Sequence, residues 1–159
     1  VVQWLQERRV DVGFVVLPDE HFDTFALIED QMVALIPKTH SLANKDEIVL
    51  QDLCHVPFIL TEAGSAQLIF KLFASEDLIP DIRYRTTQLM TTIALVAKGE
   101  GVALVAELAL PQALPTDDYV VRQVAPQYKR TIGLALHSKR QASPAAQAFI
   151  KMAVQLLKK

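Results

Sequence analysis

Hydrophobic positions along this chain recur with two alternating periods. Residues 1–8 read as a short helix that opens on Val1-Val2-Gln3-Trp4-Leu5 as if already under way. Residues 11–16 follow as a nearly unbroken apolar run closed by Leu17-Pro18-Asp19, the pattern of a strand buried in a parallel sheet. A second strand is expected over 32–36, stopped by Pro37, with Glu29 and Asp30 ahead of it. Residues 41–56 read as irregular, with Ile48, Leu50 and Leu53 turned inward, and 57–60 as another buried strand. From Ser65, a natural N-cap, Leu68, Ile69, Leu72 and Phe73 fall on one helical face.

The alternation of Ile82, Tyr84 and Thr86 with Arg83 and Arg85 predicts a strand over 81–86. Leu89, Ile93, Val96 and Ala97 predict a helix over 88–98 ended by Gly99, and 102–105 a short strand. A short helix over 107–110 stops at Pro111, and Pro115-Thr116-Asp117-Asp118 is turn chemistry. Strands over 119–124 and 131–136 precede a last helix that starts at Ser143 with Pro144 at its first position. Its face is expected to carry Ala148, Phe149, Met152 and Leu156, and Lys158 and Lys159 suit its C-terminal dipole end. Strand and helix alternate through the middle of the chain, which implies an α/β fold with a parallel sheet covered by helices.

Composition narrows the class. With 51% hydrophobic and 21% charged residues in 159, the chain is a globular domain with a real core. Lys and Arg number 16 against 18 Asp and Glu, so the net charge of −2 supplies no basic field for a phosphate backbone. No apolar run reaches the roughly 18 residues of a membrane span. The longest, over 93–110, is broken by Lys98, Gly99, Glu100, Gly101 and Glu107. The start has neither an initiator Met nor a signal-peptide core, so the chain is expected to be a piece of a longer protein whose default compartment is the cytoplasm.

Candidate chemistry lies where strands give way to helices, because ligands of open α/β sheets sit at the carboxyl ends of the strands. Three loops qualify: 16–19, 61–65 and 86–88. The last two place small hydroxyls and free N–H groups at helix starts, a recipe for holding a carboxylate or phosphate. Ser65, Thr86 and Thr87 could equally do no more than cap their own helices. Gly99-Glu100-Gly101 follows a helix and leads into a strand, the reverse of a dinucleotide loop, and reads as a helix cap with a tight turn. The histidines at 21, 40, 55 and 137 lack metal-ligand spacing, and Cys54 reads as a small buried hydrophobe. No acid, base, nucleophile, metal or cofactor constellation stands out, so no enzymatic role is expected.

Asp11-Val12-Gly13-Phe14-Val15 together with 32–43, Met-Val-Ala-Leu-Ile-Pro-Lys-Thr-His-Ser-Leu-Ala, resembles the effector-binding domain of LysR-type transcriptional regulators. The resemblance continues through 48–53, Pro57-Phe58-Ile59, the run from Leu95 to Val105, Ser143-Pro144-Ala145 and Phe149, and covers essentially the whole chain. It implies a type 2 periplasmic-binding-protein-like fold of two α/β lobes joined by two crossing strands. The first lobe would comprise 1–31 and 131–159, without the family's opening strand and helix, and the second 32–130. It further implies a small-molecule effector, expected to be a carboxylate, held between the lobes, and a homodimer or tetramer that meets DNA only through an N-terminal winged helix-turn-helix outside this chain. By position, the effector-binding residues would be Val16 and Leu17, then Thr61, Glu62, Ala63, Gly64 and Ser65, with Thr87, Gln88, Val105 and Ala106 beside them. Val16 stands where some aromatic-acid-responding members carry an Arg, and Ala106 where many carry a Pro. A periplasmic solute-binding protein of a transporter is the alternative reading.

Overall fold

The computed structural model describes residues 1–62, 65–112 and 117–157. In chain order these form α1 (Val2–Gln6), β1 (Gly13–Leu17), β2 (Asp23–Pro37), β3 (Glu47–Ile48), α2 (Leu50–Cys54), β4 (Phe58–Thr61), α3 (Ala66–Ser75), β5 (Ile82–Thr86), α4 (Leu89–Ala97), β6 (Ala103–Ala106), β7 (Tyr119–Val124), β8 (Lys129–Leu136) and α5 (Pro144–Leu157). Single 3-10 turns lie at Ser41–Asn44 and Glu107–Ala109. The chain divides into two compact units, 1–30 with 129–159, and 31–128. It passes between them twice, within β2 and at the step from Tyr128 to Lys129.

The second unit is built on β2. Its run Met32-Val33-Ala34-Leu35-Ile36 is wholly buried because both faces are covered. Met32, Ala34 and Ile36 pack with Leu50, Leu53, Ile69 and Phe73 of α2 and α3. Val33 and Leu35 pack with Ile93 and Val96 of α4. Phe58 meets Phe73 edge to face, with centroids 5.5 Å apart. β4 and β5 are parallel, as the strand–helix–strand alternation requires, and a parallel bridge joins Phe58 to Val102 at the start of β6. The sheet is nevertheless mixed: β6 and β7 both pair antiparallel with β2, and only β3 runs parallel to β7. The wholly parallel expectation fails because both neighbours of β2 are returning strands. Residues 41–56 are more ordered than their pattern suggests, holding a 3-10 turn, β3 and α2, each too short to show a period. Ile48, Leu50 and Leu53 are fully buried there.

In the first unit β8 lies between β1 and the first part of β2. β1 is not a buried parallel strand. It pairs antiparallel with β8 at the end of the sheet, and Phe14 and Val16 remain 46% and 42% exposed while Val15 is buried. An apolar run is the same whether one face of a strand is covered or two, so the pattern could not tell these apart. Gly133 of β8 is required by close approach: a Cβ there would lie 2.5 Å from the Phe25 carbonyl and 2.6 Å from Leu17 Cδ1. α5 packs on this sheet through Ala146, Ile150 and Ala153, next to Leu27, Leu134 and Leu136. The expected face of Ala148, Phe149, Met152 and Leu156 is largely exposed, with Met152 52% and Leu156 71% exposed, and only Phe149 of it meets another ring, Phe14 of β1, edge to face. Both stripes of α5 are apolar, and small alanines let the other one sit closer to the sheet. The Lys158 and Lys159 expectation lies outside the described residues.

β2 is 15 residues long and begins at Asp23, so Glu29 and Asp30 lie inside the strand and not ahead of it. Asp30 is buried there and accepts from Arg130 of β8, whose Nε and Nη2 lie 2.8 and 2.7 Å from its Oδ2. The pair spans the two strands at the residues where the chain passes from one unit to the other.

Candidate functional site

β4 and β5 end together. Their parallel register sets Thr61 beside Thr86, and the Glu62 amide donates to the Thr86 carbonyl at 2.8 Å. The next helices start at once, α3 after N-cap Ser65 and α4 after N-cap Gln88. Two helix N-termini, with their outward N–H groups and positive dipole ends, therefore meet at the same strand ends. Beyond the Phe58–Val102 bridge, parallel β4 and β6 run on to Thr61 and Val105, three residues along each.

The hydroxyls at these ends do not simply cap the helices. Neither Ser65 nor Gln88 makes a side-chain cap bond, and α4 begins after Thr86 and Thr87. Thr61 and Thr86 instead each hydrogen-bond the hydroxyl of Thr92, at 2.6 Å in both cases. All three are buried, at 5%, 7% and 0% exposure. Three hydroxyls carry three protons and two hydrogen bonds use two, so one O–H is left to donate to a further acceptor. Thr92 carries no sequence signal beyond the Thr91-Thr92 pair inside a helix. Only the pairing of β4 with β5 reveals that it links both loops.

The remaining candidates divide by exposure. Glu62 is exposed and bonds Arg85, Oε1 to Nη1 at 3.3 Å. Thr87 and Gln88 are exposed, whereas Ser65 is 8% exposed. Val105 and Ala106, each 3% exposed, pack their side chains into opposite faces of the core and leave only backbone for a ligand. Ala63 and Gly64 lie outside the described residues. Val16 and Leu17 belong to the first unit, at the end of β1 opposite Ile132 and Thr131. Among the described residues, no group of His, Cys, Asp and Glu is placed to hold a metal. Cys54 is half-buried beside the core, and burial pushes its thiol pKa up, away from nucleophilic use.

Residues 1–158 match the family model described as the LysR substrate binding domain. The chain belongs to that family. This LysR substrate-binding domain is 31% identical over 157 residues to YvbU of Bacillus subtilis (strain 168), an uncharacterised HTH-type transcriptional regulator, covering 98% of this chain and 53% of the relative. The chain thus spans about half the length of the curated relatives it matches. Among solved structures it is similar to the regulatory domain of CcmR from Synechocystis PCC6803 in complex with 2-PG. The TM-score is 0.87 at 20% identity, covering 99% of this chain and 78% of that one. The effector-binding domain of QuiR in complex with shikimate superposes with a TM-score of 0.83 at 24% identity, covering 97% and 75%. These neighbours share the type 2 periplasmic-binding-protein-like α/β architecture expected from the sequence. The family is one of regulators and not of enzymes.

Proposed function

We propose that this LysR substrate-binding domain senses a small carboxylate for a DNA-binding transcription regulator, with Thr61, Glu62, Ala63, Gly64, Ser65, Thr87 and Gln88 forming the principal effector contacts. Val16, Leu17, Val105 and Ala106 complete the set. The observation that carries this reading is the convergence of the α3 and α4 N-termini on the Thr61–Thr92–Thr86 hydroxyl chain, which leaves one O–H for an acceptor. Two similar domains whose solved structures hold 2-PG and shikimate support a small polar effector. In the whole regulator the lobes are 1–31 with 131–159 and 32–130. DNA is met through a helix-turn-helix outside this chain, and the protein works in the cytoplasm as a homodimer or tetramer. Relatives named as HTH-type regulators weigh against a transporter's solute-binding protein. No helix among the described residues is long and apolar enough to cross a membrane.

Calorimetry against a panel of small carboxylates that includes shikimate tests the site. Ser65→Ala and Thr61→Ala are each expected to weaken the tightest binder by about 1–2 kcal/mol, the worth of a hydrogen bond to a charged group. Unchanged affinity in both variants removes the loop after β4 from the site.

A further inference from the structure

Within the first unit, α5 and the end of β8 enclose a second concavity, a groove of about 390 Å³ open to solvent. That volume falls near the lower end of the roughly 300–1,000 Å³ usual for small-ligand pockets. Phe25, Leu136, Ile150 and Val154 make its floor, with Leu136 2% and Ile150 7% exposed. Lys139 and Lys151 line it as well, and both are exposed. Among the described residues neither lysine pairs with a carboxylate. Asp23 accepts from the Lys139 backbone amide at 2.8 Å, and the Lys139 ammonium lies 4.3 Å from the centroid of the Phe25 ring. An apolar floor beside two exposed ammonium groups is complementary to a molecule with an apolar body and one anionic end.

We propose that this groove binds a medium-chain monocarboxylate, its chain on Phe25, Leu136, Ile150 and Val154 and its carboxylate against the ammonium groups of Lys139 and Lys151. The site uses none of the residues at the ends of β4 and β5, so it stands or falls independently of the effector reading.

Octanoate is the probe, titrated into the chain with backbone amide chemical shifts as the readout and octan-1-ol as the neutral control. Saturable shifts centred on Leu136, Ile150 and Val154 are expected. Affinity should fall about tenfold in a Lys139→Gln/Lys151→Gln variant, the loss of roughly one charge-assisted contact, and should also fall with added salt. Octan-1-ol should bind more weakly than octanoate. Both lysines are exposed, so the variant folds, and an unaltered spectrum away from the groove verifies it. Absence of saturable shifts at these residues overturns the proposal, as does equal affinity in the variant or equal binding of the alcohol. Concentration-dependent self-association that covers the groove overturns it too, by making a second copy its occupant.

Discussion

Thr92 is the residue on which the strand-end arrangement turns, because its hydroxyl bonds the side chains of both Thr61 and Thr86. Thr92→Val keeps the shape and leaves two buried hydroxyls without that partner, which should cost about 1–3 kcal/mol in urea unfolding. Thr92→Ser, which keeps the hydroxyl and lacks the methyl, should lose less than Thr92→Val, and a loss in Thr92→Val no larger than in Thr92→Ser would contradict the role given to the hydroxyl. Tyr128 provides a check through pH. Burial, then the hydrogen bond and charge of Glu76, raise its pKa to about 12. A raised pKa in the folded state means this contribution is fully present below the ordinary tyrosine value of about 10 and is lost as pH rises towards 12. Wild-type stability should therefore fall over that window, and Tyr128→Phe should flatten the fall.

At the scale of elements, the Asp30–Arg130 pair fixes β2 against β8 with both partners largely out of water: their side chains are 0% and 13% exposed. Asp30→Asn removes the charge that Arg130 faces at 2.7 Å and should cost about 3–5 kcal/mol in chemical denaturation. Gly133→Ala should cost about 1–3 kcal/mol, because the added methyl meets the Phe25 backbone as well as the movable Leu17 side chain. Neither site was legible along the chain, where Asp30 followed Glu29 as an ordinary polar step and Gly133 interrupted a strand. Period alone did locate β7 at 119–124 and the buried run of β2, since these strands sit between signals that end them. It misplaced the buried stripe of α5 because Phe149, Met152 and Leu156 outweigh Ala146 and Ala153 in hydrophobicity, while close packing on the sheet favours the smaller side chains. The loop hydroxyls were visible as residue types. Their engagement with Thr92 was not, since it joins α4 to the ends of β4 and β5 across separations of 31 and 6 residues.

For the whole molecule, the proposed function places a small carboxylate where β4 and β5 end. An effector that binds only the folded chain should stabilise it by about 2.7 kcal/mol at a hundred times its Kd. The resemblance that pointed to this site rests on short stretches spread over the chain, and the family match over residues 1–158 has the same breadth. The most direct test is amide chemical-shift mapping with the tightest-binding carboxylate of the shikimate-containing panel. The largest shifts are expected at Glu62, Ser65, Thr87 and Gln88, and in Ser65→Ala all four should need about tenfold more carboxylate to reach saturation. Shifts confined to other parts of the chain, with these four amides unmoved at saturation, would contradict it.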